Sequence, residues 1–168
     1  VPAAAARTLS GKGRQTRQSI EDAARKLFAE RGFHGTTLAD ITSAAGKSPG
    51  LFYRYFDDKE DLLAALAESF LHDVVEPSGL RVHLPESPLD SGFFLTVVTA
   101  YWNMFKQNIG IMVAVDQLAA TQPRFAAVQN EFRRFGMDII TTSVHRAREQ
   151  GYGRGLHPEH TALAIALL

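Results

Sequence analysis

Lys47-Ser48-Pro49-Gly50 is the stretch of this chain best suited to contact with another molecule. A hydroxyl followed by proline is a helix start, because serine caps the first free amides and proline tolerates the first helical position. Lysine before and glycine after leave that start cationic and narrow, so the backbone can come close to a polyanion. A helix N-terminus also aims free amides and a positive dipole end at phosphate. Arg14 and Arg17, with Arg7 and Lys12, add cations to a first twenty residues that hold no acid. Residues 1–60 carry ten Lys/Arg against seven Asp/Glu, and residues 61–168 carry eight against eleven. A chain of zero net charge is therefore basic at one end, where phosphate would be attracted whatever its sequence. A solvated, solubilising tail has the same composition, so charge alone does not decide.

Other chemistries lack their residues. There is no cysteine, which excludes disulfides, thiolate zinc sites and cysteine nucleophiles. His157-Pro158-Glu159-His160 sets two histidines beside an acid, but proline opens a helix there and the pair is not at i, i+4 zinc spacing. Gly151-Tyr152-Gly153-Arg154-Gly155 has the glycines of a phosphate loop, yet it follows a helix rather than a strand and reads as a connector. No spacing pairs a nucleophile with a base. The expectation is a non-enzyme with no cofactor and no metal. No apolar run reaches the roughly 18 residues of a membrane span, and the N-terminus lacks the apolar core of a signal peptide. A cytoplasmic protein without a membrane partner is expected.

Helical periodicity must position these residues. Ile20, Ala23, Ala24, Leu27 and Phe28 form one buried stripe, predicting a helix over about 16–31 that stops at Gly32. Thr37 is a good cap for a second, short helix, with Asp40 at its capping-box position. Gly46 ends that helix, Ser48-Pro49 starts a third through Tyr55, and Asp58 caps a fourth with Asp61 at N3. Pro77, Gly79, Pro85 and Pro88 mark a loop; helices are predicted at about 90–107, 109–121, 123–150 and from 158. Two short helices joined by a three-residue, glycine-containing turn match the helix-turn-helix. In that motif the second helix enters the major groove while the first clamps its far side.

On these residues the chain resembles the tetracycline-repressor (TetR) family. The resemblance runs through Ala23-Ala24 to Phe28, Arg31-Gly32-Phe33, Thr36-Thr37-Leu38-Ala39-Asp40-Ile41 and Ala44-Ala45-Gly46. It continues through Ser48-Pro49-Gly50-Leu51-Phe52-Tyr53-Arg54-Tyr55-Phe56 and Lys59-Glu60-Asp61-Leu62-Leu63, covering roughly residues 16–65. It implies DNA-facing positions at Thr36, Thr37, Lys47, Ser48, Pro49, Gly50, Tyr53, Tyr55 and Lys59. Thr37 and Tyr55 would hold phosphates through hydroxyls, Lys59 would add a cation, and Lys47, Ser48 and Tyr53 would lie nearest the bases. Lys47 departs from the valine common there; it either reads guanine or solvates the turn.

The second half is rich in large side chains with polar residues between them, which suits a mostly apolar small-molecule pocket. Phe94, Trp102, Phe105, Met112, Asp116, Phe132 and Phe135 are its candidate lining; plain hydrophobic core is the alternative for each. The expected fold is all-α: a basic arm at 1–15, a three-helix DNA-binding domain at 16–56, and a helical ligand-binding and dimerisation domain at 57–168. The resemblance further implies a homodimer on a palindromic double-stranded operator, released by a small apolar or amphipathic effector. The chain stops at Leu168 within a helix, so the last helix of the family is expected beyond it. A helical protein-interaction module with little specific DNA binding is the competing reading.

Overall fold

In the computed structural model the described residues are 10–75, 91–151, 153–155 and 157–166. They form α1 (Gly11–Arg31), α2 (Leu38–Ala44), α3 (Pro49–Phe52), α4 (Lys59–Val75), α5 (Ser91–Ala119), α6 (Pro123–Glu149) and α7 (Pro158–Ala166). No strand occurs among them, as expected of an all-α chain. No helix among the described residues is long and apolar enough to cross a membrane. The loop prolines Pro77, Pro85 and Pro88, the cation Arg7, and Tyr152 and Leu156 of the last connector lie outside the described residues.

Sequence chemistry sets the ends of α1. The Ser10 hydroxyl accepts the Gly13 amide at 3.2 Å, and Gly32, at φ 73°, returns its amide to the Phe28 carbonyl. Only glycine takes that backbone region at little cost. The helix begins five residues before the expected start, because Ser10 caps it. Residues 11–15, expected in the basic arm, are therefore helical, and Arg14 stands on a rigid element.

The buried stripe of α1 is the predicted one. Ile20, Ala24 and Phe28 are fully covered, together with Ile41 of α2, Phe52 of α3 and Leu62, Leu63 and Leu66 of α4. Ile111 and Val115 of α5 and Phe125 of α6 belong to the same cluster, so one core runs from the short helices into the long ones. Farther along, Phe70 of α4 meets Phe132 of α6 with ring centroids 5.2 Å apart.

The expected break near residue 108 does not exist: α5 is continuous from Ser91 to Ala119. Asn108 and Gly110 look like helix breakers by local propensity, but both have long-range roles. A Cβ at Gly110 would lie 2.5 Å from the Phe28 carbonyl carbon and 2.5 Å from the Ala29 amide nitrogen. The missing side chain lets α5 lie directly on the backbone of α1. Asn108, 8% exposed, accepts a hydrogen bond from the Arg25 guanidinium of α1 at 2.5 Å.

Gly110→Ala should force the two backbones apart and destabilise the fold by about 1–3 kcal/mol, the range for overpacking. Gly136→Ala on α6, where nothing stands within 4 Å of the new Cβ, should instead stabilise by about 0.5–1 kcal/mol. Urea denaturation of both variants gives the two signs.

Candidate nucleic-acid interface

The short helices of this region are fixed by caps. Thr37 precedes α2; its hydroxyl accepts the Asp40 amide at 3.1 Å, and Asp40 Oδ2 accepts the Thr37 amide at 2.9 Å and the Thr37 hydroxyl at 2.5 Å. This is the predicted capping box. The Thr37 hydroxyl, then its amide, and to a smaller extent Arg31 hold the Asp40 carboxyl below the usual carboxylate range, against a small opposing effect of burial. Gly46, at φ 63°, turns the chain after α2, and the Lys47 amide closes the turn on the Thr42 carbonyl at 2.9 Å.

Ser48 then caps α3, its hydroxyl accepting the Leu51 amide at 3.3 Å, with Pro49 in the first turn. Ser48, Pro49 and Gly50 are exposed and Lys47 is half-buried. Phe52, on the opposite side, is fully buried against Phe56. Tyr53 is 59% exposed, whereas Tyr55 is half-buried and packs on the core. The helix ends at Phe52 rather than running through Tyr55. The Arg54 and Tyr55 amides bond three residues back, to Leu51 and Phe52, in a tighter turn. The outward surface is therefore narrow and polar at the start of α3, with one aromatic a turn later.

Several expected contacts serve the fold instead. Thr36 has no exposed surface; its hydroxyl donates to the Gly32 carbonyl at 2.8 Å, with the Leu27 carbonyl 3.3 Å away. It plugs the α1–α2 turn and offers no side chain to DNA. The Lys59 ammonium donates to the Phe33 and Thr36 carbonyls, each at 2.8 Å, and lies 4.2 Å from the centroid of the Phe33 ring. It ties the start of α4 to that turn rather than standing as a free cation for phosphate. Arg17 pairs with Glu21 at 2.7 Å and sits over the Phe56 ring, while Arg14 is exposed. Sequence reasoning missed the Arg25–Asn108 tie, which joins residues 83 apart and leaves no local signal.

The expected ligand residues are dispersed. Trp102 is 65% exposed on α5. Asp116 is also exposed, and it accepts a hydrogen bond from Gln129. Phe105 and Met112 are half-buried on α5, Phe132 is packed against Phe70, and the side chain of Phe94 lies outside the described residues. Phe135 lines an open groove of about 430 Å³ between α4 and α6, together with Glu68, Leu71, His72, Glu131, Arg134 and Asp138. Its rim is more charged than the apolar lining expected. His157 and His160 stack at 4.3 Å, but no group of three metal-ligating side chains forms among the described residues.

The α2 cap carries a pH signature. The folded-state pKa of Asp40 is lowered, so its contribution to stability is complete above about pH 4 and is lost as the pH falls through the folded value. Denaturation midpoints measured from pH 7 downward should decline more steeply on the acid side for the wild-type chain than for Asp40→Asn. Parallel curves would remove the cap from the account.

The family profile described as bacterial regulatory proteins, tetR family, matches residues 20–66. The chain is 33% identical over 143 residues to the HTH-type transcriptional repressor KstR2 of Rhodococcus jostii, covering 80% of this chain and 68% of that repressor. The solved structure of the ketosteroid transcriptional regulator KstR2 of Mycobacterium tuberculosis superposes with a TM-score of 0.66 at 23% identity, over 89% of this chain and 76% of that one. A transcriptional regulator from Saccharomonospora viridis, solved in complex with choline, gives a TM-score of 0.76 at 18% identity, over 92% and 81% of the two chains. With a capped helix-turn-helix in its N-terminal half, the chain belongs to the TetR family of bacterial regulatory proteins and is a DNA-binding transcriptional repressor.

Proposed function

We propose that the chain binds a palindromic operator as a homodimer and is released by a small apolar or amphipathic effector. The observation that carries the DNA half of this reading is the start of α3. Ser48, Pro49 and Gly50 are exposed beside Lys47, and Phe52 is fully buried behind them. A helix anchored on one side and narrow at its exposed N-terminus can enter a major groove without moving its neighbours. Lys47, Ser48 and Tyr53 are the base-edge residues in this reading, and Thr37 and Tyr55 hold phosphate. Phosphate contacts set register, whereas base-edge contacts give specificity. Two such helices about 34 Å apart address successive major grooves, which is why a two-fold dimer suits a palindrome.

The effector half rests on the groove between α4 and α6. Leu71 and Phe135 give it an apolar body and its charged rim gives polar anchors, a combination suited to an amphipathic molecule. The KstR2 relative's designation as a ketosteroid regulator supports the same chemical class. A molecule seated there touches α4, whose first residue, Lys59, is tied to the α1–α2 turn. The effector acts by favouring one arrangement of α4 over another, and a coupling of about 1–3 kcal/mol suffices for regulation.

Titration of a palindromic operator should saturate at two chains per duplex, and a half-site should bind much more weakly. Lys47→Ala should change the ranking of base-substituted operators, whereas Tyr55→Phe should weaken all of them about equally. A uniform loss from Lys47→Ala would reassign Lys47 to phosphate or to the turn. One chain per duplex at saturation would sink the dimer reading.

A further inference from the structure

Between residues 17 and 59 most cations are already engaged inside the protein. Arg17 pairs with Glu21 at 2.7 Å, Arg31 with Asp40 at 3.6 Å and Lys26 with Glu30 at 4.0 Å. Arg25 donates to Asn108, and the Lys59 ammonium is held by two carbonyls. Lys47 is half-buried at the turn before α3. Arg54 differs from all of these. It is exposed, and among the described residues no carboxylate lies within ion-pair distance of its guanidinium. Two carboxylates near it in sequence are occupied elsewhere. Asp58 Oδ1 accepts the Asp61 amide at 2.6 Å and Asp61 Oδ2 accepts the Asp57 amide at 3.1 Å, so both close the start of α4.

The backbone that carries Arg54 is fixed. Its amide bonds the Leu51 carbonyl at 3.3 Å, and Phe52 and Phe56 on either side are buried with ring centroids 5.5 Å apart. Only the side chain therefore needs to be ordered by a partner, which keeps the cost of binding low. Arg54 lies six residues past Ser48, about 9 Å along a helical path. The major groove is about 8.5 Å deep, and the N-terminal residues of a recognition helix meet its base edges. A residue that far behind the tip stands at the rim, level with phosphate rather than with bases. A guanidinium also matches phosphate in shape, two parallel N–H donors meeting two oxygens.

We propose that Arg54 clamps a backbone phosphate of the operator, and that Lys59 serves the α1–α2 turn instead. The assignment rests on the DNA reading above and supplies that reading with a cation behind α3. The probe is a labelled duplex from the region upstream of the chain's own gene, titrated by fluorescence anisotropy at several salt concentrations. Arg54→Gln should lower the slope of log affinity against log salt by about 0.9 for each chain bound. Between about 50 and 200 mM salt the wild type should then lose about 3.5-fold more affinity per chain than this variant. The loss should be equal on base-substituted duplexes, with the urea midpoint unchanged. Arg54→Lys should restore the slope, because the charge remains, and only part of the affinity, because the paired donors are gone. Lys59→Gln should lower the urea midpoint and leave the slope alone. A wild type that binds with a steep slope, beside an Arg54→Gln variant of the same slope, would overturn the assignment and leave the DNA reading standing. A slope lowered by Lys59→Gln at full stability would return that lysine to the phosphates and overturn the second half. A wild type that does not bind the duplex even at low salt would sink the DNA reading and the clamp with it.

Discussion

The backbones of α1 and α5 meet where α5 has no side chain, and the rest of the molecule is arranged around that crossing. Phe28 and Ala29 on one side and Gly110 on the other leave no room for a methyl group. The Arg25–Asn108 hydrogen bond lies within a turn of it, on the same two helices. α1 also supplies Ile20, Ala24 and Phe28 to the core beneath the helix-turn-helix. One helix thus serves the DNA-reading end and the contact with the long helices. A change in the packing of α5 cannot be absorbed locally, because close-packed interiors transmit displacement rather than cushion it.

The helix-turn-helix depends on that support. α2 has seven residues and α3 has four, far below the length at which isolated helices persist in water. Caps at Thr37 and Ser48 start them and the Gly46 turn joins them, but burial holds them in place. Ile41 and Phe52 are inserted into the α1–α4 core, Thr36 fills the turn from below, and Lys59 ties two of its carbonyls to α4. Phe52 lies on the buried side of α3, and the other anchors hold α2 and the turn before it. The polar surface can therefore be small and flexible in composition without loss of position.

What was readable in advance was local. The stripe of α1, the Thr37–Asp40 box, the Ser48-Pro49 start and the Asp58 cap, whose carboxylate accepts the Asp61 amide at 2.6 Å, each need only a few adjacent residues. What was hidden required knowing what lies across the fold. Asn108 and Gly110 have poor helix propensity, and only the presence of α1 explains why a helix passes through them. Thr36 and Thr37 are neighbours of identical type, yet one is sealed in the core and the other caps a helix in the open. Lys59 reads as a free cation until the two carbonyls facing it are seen. Trp102 reads as core by its type and lies outside by its place on the helix.

The claim on which the account rests is that the exposed start of α3 reads a particular duplex. Fluorescence anisotropy of the chain on the DNA upstream of its own gene, against a scrambled duplex of equal length at two salt concentrations, tests it most directly. The account predicts tight binding to the upstream duplex, much weaker binding to the scrambled one, and a loss of affinity with salt as phosphate-bound counterions cease to be released. Equal affinity for both duplexes, or no binding even at low salt, would contradict it.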